Sequence, residues 1–433
     1  MGSAIDIFGK FNNPFSALRH RNFRYYWSCM CISLIGTWMQ NIAQPWLAYT
    51  LTGSPLLLSL VGALQFTPML FFSLFAGVVV DRFPKKNILF FTQSASLLIT
   101  FILATLVLSG YVRYWHILVS ATALGMVNTL DMPTRQSFII ELVGKEDLMN
   151  AIALNSSVFN MARVLGPALA AIVMGTMGIA SCFYINSFSF AAVITGLFFI
   201  HPMTVPHIKK KDWDILSGIK DGLRYITENE LLLKAMQMVA IVGIFGANFN
   251  VLVPVFAKVI LGQEETGFGF LMSFVGLGSF TGAMFIATMS KSGPQKFVLN
   301  TVPLFLAGLL ILTGLTNVYI LTGLGLAASG LCFVAFISSA NSSLQLSAAD
   351  EYRGRVISLY TLVFGGSVPM GSLYSGIISD YLGPRAGFIA CGCTIFFLMG
   401  AHRLYRRGSG MFVYQKIGHT EIIREKTFKG DKK

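Results

Sequence analysis

The sequence predicts an all-α membrane protein in which twelve transmembrane helices form two six-helix bundles. Three observations predict it. Of the 433 residues, 54% are hydrophobic and only 12% charged, with a mean hydropathy of +0.67, which is too apolar for a water-soluble domain. Apolar runs of bilayer-crossing length recur twelve times along the chain. Lysine and arginine are confined almost entirely to alternate loops, as expected when the segments between them cross a membrane.

In chain order the apolar runs lie near 25–50, 56–80, 87–109, 115–139, 149–174 and 179–200, then near 232–257, 266–290, 297–315, 318–344, 355–379 and 384–402. Residues 1–200 are therefore read as an N-terminal six-helix bundle and 232–404 as a C-terminal one. Between them, 201–231 carries Lys209-Lys210-Lys211 and then Ile215, Ile219, Leu223 and Ile226 at helical spacing, which predicts a cytoplasmic linker containing an amphipathic surface helix. Residues 405–433 form a basic cytoplasmic tail. From Arg403 onward, nine Lys and Arg against three acids suit attachment to anionic lipid. The N-terminal segment, every second loop and the tail hold 27 of the 32 Lys and Arg, against Arg113, Lys258 and Arg385 on the opposite face. This asymmetry places both termini in the cytoplasm. The first 24 residues are polar and basic, so no cleavable signal is expected.

The halves are weakly self-similar. A shift of 205 residues aligns Glu146, Ile152, Leu154, Phe159, Gly166 and Ile172 with Glu351, Ile357, Leu359, Phe364, Gly371 and Ile377, as in parallel six-helix repeats. The net charge of +13 follows from topology, because no water-soluble segment is long enough to present a basic nucleic-acid face. All six cysteines fall inside apolar runs without metal-ligand spacing, so no disulfide and no metal are expected. The chain has no Gly-x-x-x-x-Gly-Lys-Ser/Thr phosphate loop and no nucleophile with a base outside the membrane, so neither an ATP-driven pump, nor an enzyme, nor a cofactor is expected.

Between the second and third runs stands Gly77-Val-Val-Val-Asp81-Arg82-Phe83-Pro84-Lys85-Lys86. It resembles the Gly-x-x-x-Asp-Arg-x-Gly-Arg/Lys-Arg/Lys signature of the major facilitator superfamily, with Pro84 in place of the glycine. The resemblance implies the major facilitator fold and an inner gate made by Gly77, Asp81, Arg82, Lys85 and Lys86 with Arg135 of the fourth span; the alternative is that these charges only orient the loop. A shift of 210 residues puts Pro84 and Lys86 on Pro294 and Lys296 but Asp81 on Lys291, so the second half lacks the acid and the switch is expected mainly in the first half.

Asp131, one turn from Arg135, is an acid inside a span. It is expected either to take up a proton in coupling or to pair with Arg135 or Arg163. Asn155-Ser-Ser-Val-Phe-Asn160-Met-Ala162-Arg163-Val-Leu-Gly166-Pro167-Ala-Leu-Ala170-Ala171 resembles the fifth-helix exporter signature Gly-x-x-x-Gly-Pro-x-x-Gly-Gly, with Ala162, Ala170 and Ala171 for three glycines. That resemblance implies outward transport, and these small residues with Pro167 predict a bent helix sealing against a neighbour. Together with Asp131-Met-Pro-Thr-Arg135-Gln-Ser, the stretch is similar to the branch of bacterial exporters that includes enterobactin and macrolide-efflux carriers, which implies a multi-pass protein of the bacterial inner membrane. Arg163, about 20 Å into its span, must face protein or water, and either binds an anionic group of the substrate or pairs with an acid or carbonyl.

Gln40, Asn41 and Gln44 lie on one face of the first span, Asn160 on the fifth, Asn248 on the seventh and Asn341 on the tenth. As a set they suggest an amide- and aromatic-lined pocket; each could equally make an interhelical hydrogen bond. The resulting expectation is a monomeric secondary transporter that exports a small, amphipathic organic molecule in exchange for protons, with membrane lipids around it. A lysophospholipid flippase and a non-transporting membrane sensor are the rivals.

Overall fold

The computed structural model describes residues 15–201, 215–289, 296–408, 414–417 and 420–423. Helices α1 (Arg21–Thr52), α2 (Pro55–Arg82), α3 (Lys85–Leu108), α4 (Tyr114–Val143), α5 (Leu148–Met177) and α6 (Ile179–Phe199) build the first bundle. After the linker helix α7 (Ile215–Glu228), the second bundle comprises α8 (Glu230–Gly246) continued by α9 (Phe249–Val259), then α10 (Glu265–Met289), α11 (Lys296–Leu315), α12 (Tyr319–Ser347), α13 (Arg353–Leu382) and α14 (Pro384–Gly408). Two short antiparallel strands, β1 (Tyr414–Ile417) and β2 (Thr420–Ile423), lie in the tail outside the bundles. Taking α8 with α9 as one span, this is the twelve-helix, two-bundle architecture. The face bearing the chain termini is called inner below, following the charge asymmetry, and the opposite face outer.

Among the described residues, ten helical stretches are long and apolar enough to cross a membrane. The remaining two of the twelve, α1 and α4, have 32 and 30 residues but are less apolar, because they carry Gln40, Asn41 and Gln44, and Asp131 and Arg135. Such helices are stable in a bilayer only where these groups face protein or water. Their neighbours provide for that: Gly125 of α4 lies so near α2 that a Cβ there would stand 2.2 Å from the Gln65 carbonyl oxygen. Large apolar side chains such as Phe71, Phe75 and Phe91 point outward, as lipid-facing residues do.

The turn from α1 to α2 is tight. Gly53 takes the left-handed conformation (φ 65°) that ends α1, Ser54 accepts a hydrogen bond from the Leu57 N–H, and Pro55 opens α2. At the inner end, Pro84 precedes α3 with φ −57°, so the residue that replaces glycine in the loop signature starts the third span directly.

Two expectations are refined. The seventh span is not one helix but breaks at Ala247–Asn248, where the Asn248 side-chain amide donates to the Ile244 carbonyl at 2.8 Å. In the linker, α7 buries Ile226 but leaves Leu223 exposed, because it docks on the inner end of α13: Tyr225 stacks on Tyr352 at 4.2 Å and Asp221 lies 3.7 Å from Arg355. Lys209-Lys210-Lys211, Lys291, Pro294 and most of the 405–433 tail lie outside the described residues.

Candidate functional site

The loop-signature residues divide into two groups. Lys85 pairs with Glu141 of α4 at 3.0 Å, and Lys86 donates to the Ile200 carbonyl at 2.7 Å while lying over the Phe90 ring. Both lysines therefore tie the start of α3 to its own bundle, and the pairing offsets the unfavourable placement of cations at a helix N-terminus. Asp81 and Arg82 are exposed. Arg135 binds Asp131 and not Asp81, so the gating pair suggested by the resemblance is not made in this conformation. Asp131 is buried and also accepts from Thr92 at 2.7 Å and from Gln93 at 2.8 Å, while Arg135 donates to the Met30 sulfur. Of the partners open to Asp131, the structure selects Arg135.

Just outside this cluster on the inner face, Asp147 at the start of α5 accepts from Ser16 at 2.6 Å and meets His20 at 2.8 Å. These two hydrogen bonds hold its carboxyl below the usual carboxylate range. They clip the segment before α1 to α5.

Among the described residues, two long seams join the bundles, with smaller contacts from α9 to α1 and α2. In one, α2 and α13 run antiparallel: a Cβ on Gly376 would fall 2.3 Å from Ser59, one on Gly62 3.2 Å from Ser372, and one on Gly366 2.9 Å from Leu70. At the outer end of this seam Asp380 accepts from the Ser54 hydroxyl at 2.7 Å and more weakly from the Leu56 N–H at 3.4 Å, so a carboxylate of one bundle caps a helix N-terminus of the other. Continuing the same register inward sets Asp81 opposite Gly354, in the first turn of α13. There the helices have parted: a Cβ on Gly77 or Gly354 would meet nothing within 4 Å, and the residue preceding α13, Tyr352, provides no side-chain cap. Near the outer surface Trp46 of α1 also stacks on Phe268 of α10 at 5.1 Å. Among the described residues, α2 and α13 are thus in contact at the outer end of the seam and apart at its inner end.

The second seam is made by the exporter-like stretch. Ala162, Ala170 and Ala171 are fully buried, and Gly166 and Pro167 are buried with them. A Cβ on Gly166 would lie 2.4 Å from the Trp38 Cβ of α1, one on Gly269 of α10 2.6 Å from the Ala171 Cβ, and one on Gly276 of α10 2.6 Å from the Arg163 carbonyl oxygen. The small stripe thus lets α5 touch α1 and α10 at once. At the inner limit of these contacts the Arg163 guanidinium sits 5.8 Å from the Trp38 ring centroid, and Phe159 meets that ring edge-on at 5.7 Å. Asn160, one turn inward of Arg163, is half-buried and its amide donates to the Ser156 carbonyl at 2.8 Å. Asn41, one turn outward of Trp38, is half-buried and makes no side-chain hydrogen bond among the described residues.

The other amides serve packing. Gln40 accepts from Asn186 of α6 at 2.6 Å and from Thr100 of α3 at 3.3 Å, and donates to Gln44 at 3.2 Å. This buried network joins three helices of one bundle, so neither Gln40 nor Gln44 faces a substrate here. Asn248 is buried at the α8–α9 break against Cys391, and Asn341 accepts from Gln345 near the inner end of α12. The residue that sequence reasoning missed is Asp380. Its signal was an acid in the last turn of an antiparallel span, facing the first turn of the second.

Comparison with known proteins agrees with this architecture. A family described as transmembrane secretion effector, a branch of the major facilitator superfamily, matches residues 12–407. The chain belongs to that family. It is 25% identical over 380 residues to the staphyloferrin A transporter of Staphylococcus aureus, covering 86% of this chain and 93% of the relative. It is also 25% identical over 378 residues to the multidrug efflux pump Tap of Mycobacterium tuberculosis, covering 83% and 87%. Among solved structures, a bacterial homologue of the lysosomal transporter Spinster, described as inward-facing and unoccupied, superposes with a TM-score of 0.73 at 11% identity, covering 90% of this chain and 98% of that one. The nucleoside transporter NupG gives 0.73 at 11% identity, covering 89% and 99%. The chain is a multi-pass membrane transporter of the efflux and secretion type.

Proposed function

We propose that this transporter exports a small, amphipathic organic molecule from the cytoplasm by alternating access, exchanging it for protons, as a monomer in the bacterial inner membrane with both termini inside. What supports alternating access most directly is the divided α2–α13 seam, fastened outside by Asp380 and parted inside at Gly77 and Gly354. The two helices are antiparallel, each carrying an aspartate near its C-terminal end in register with the first turn of the other. In the state described, Asp380 holds the outer end. In the reciprocal state Asp81 caps α13, Gly77 allows the approach, and Asp380 lets go. One latch costs about 1–3 kcal/mol to break, so exchanging one for the other keeps the two states within reach of a bound solute.

At the inner limit of the α5 seam stand Trp38, Phe159, Asn160 and Arg163, an aromatic and amide surface with a single charge. Such a lining suits an amphipathic solute. Outward direction is supported by the small stripe of α5 and by the family's secretory description, and the organic substrate class by the siderophore and drug carriers among the relatives. Proton exchange is assigned to Asp131, the acid buried within the inner half of α4. A thermal-shift screen of the purified protein against siderophores, macrolides and other drugs tests the substrate class. Stabilisation by at least one member, reproduced by export of that compound from cells, supports the reading, and a screen in which only sugars or inorganic ions stabilise the protein rejects it.

A further inference from the structure

Charge bookkeeping inside the membrane singles out one group. Away from the helix ends the described spans carry three charged residues, Asp131, Arg135 and Arg163. The first two neutralise each other, with Thr92 and Gln93 completing the shell of the carboxylate. Arg163 stands fifteen residues from the start of α5 and fourteen from its end, at the midpoint of the span. Among the described residues it makes no ion pair and no hydrogen bond; its contact is the Trp38 ring. A guanidinium at this depth costs several kcal/mol unless an anion or water compensates it, and a cation over an aromatic face recovers only about 0.5–2 kcal/mol. The planar fork of five donors is matched to a carboxylate or phosphate.

We infer that the transported molecule carries an oxyanionic group that pairs with Arg163, with its apolar or aromatic body laid on Trp38 and Phe159. The inference deepens the exporter reading and rests on it for the direction of movement, but not for binding. It separates this carrier from pumps for cationic drugs, because the single fixed charge at the inner limit of the α5 seam repels cations. Asn160 and Asn41 fit the same picture: they lie one turn inward and one turn outward of the Arg163–Trp38 pair and offer neutral polar groups to the remainder of the solute. The oxyanion can come from a soluble carboxylate or from a lipid headgroup, and the chemistry at Arg163 is the same.

The test is equilibrium binding to the purified full-length protein, read by fluorescence polarisation of carboxyfluorescein, with ethidium as a cation of comparable size. Citrate and lysophosphatidylglycerol serve as unlabelled competitors. Binding of carboxyfluorescein at least tenfold tighter than ethidium is expected, weakened tenfold or more in Arg163→Gln and less in Arg163→Lys. Removing an uncompensated charge should leave Arg163→Gln folded with an unchanged or higher Tm, so loss of binding is not loss of fold. Competition by citrate alone identifies a soluble carboxylate as the source, and competition by the lysolipid alone a headgroup. Equal binding of anion and cation, no binding of any of the anions, or an Arg163→Gln variant that binds within twofold of the parent overturns the inference. Anion binding without export would instead leave it standing and remove the exporter reading.

Discussion

Replacing Asp380 by asparagine is the sharpest perturbation of the outer seal. Asp380 accepts one short hydrogen bond from Ser54 and one long one from Leu56 at the start of α2. A charge-assisted bond contributes about 1.5–3 kcal/mol and a carboxylate at a helix N-terminus about 0.3–1 kcal/mol. Asparagine keeps one acceptor, so roughly 1–2 kcal/mol is lost before screening. Because Asp380 is exposed, solvent and salt reduce this to about 1 kcal/mol, or an approximately fivefold rise in the outer-open population. Ser59, fully buried against Gly376 in the closed seam, reports that population. A Ser59→Cys variant on intact cells should react with a membrane-impermeant maleimide about five times faster when Asp380→Asn is added, after subtracting the labelling of the native cysteines. Asp81→Asn should act in the opposite sense and slow the reaction, because it weakens the latch that holds the reciprocal state, and the double variant should return near the starting rate. Equal rates in Asp380→Asn and its parent, or a change of the same sign from both aspartates, would refute a two-ended latch.

Two other substitutions probe the bundle interior. Asp131→Asn leaves the half-buried Arg135 guanidinium without its counterion, which should lower stability by about 1.5–3 kcal/mol, seen as a reduced Tm in detergent; in protein that still folds, export should lose its dependence on a pH gradient, and export that follows the gradient as before would remove Asp131 from coupling. Gly166→Ala places a methyl where only 2.4 Å separates it from the Trp38 Cβ, so α5 must back away from α1 at a cost of about 1–3 kcal/mol. Outer-face labelling of Ser59→Cys should then rise even with Asp380 in place, and an unaltered rate would show that the α5 seam takes no part in closure.

Most of the architecture was legible because a bilayer demands long apolar helices and the charge of the loops records their order. Even α1 and α4, the least apolar spans, were recognisable by their flanks and length. The break at Asn248 was not, since an asparagine in a span can as readily bond to a neighbouring helix as to its own backbone. Gln40 and Gln44 show the same limit from the other side. Their common face was evident, but whether that face meets a cavity or a partner depends on Asn186, 146 residues away on α6. Asp131 and Arg163 illustrate what geometry adds to depth. Both were conspicuous as intramembrane charges, and only the fold reveals that the aspartate is taken by Arg135 and that Arg163 has no acid beside it among the described residues. Asp380 escaped notice because a single acid near a loop is unremarkable until the antiparallel register of α2 and α13 sets it against the Ser54–Leu56 turn.

The central claim, outward movement of an organic solute through two alternately latched bundles, is tested most directly in everted membrane vesicles. With a proton gradient imposed, uptake of a compound identified by thermal shift should exceed that of vesicles lacking the protein, collapse on adding a protonophore, and fall severalfold in both Asp81→Asn and Asp380→Asn. Accumulation only in right-side-out vesicles, or uptake that neither aspartate variant alters, would contradict it.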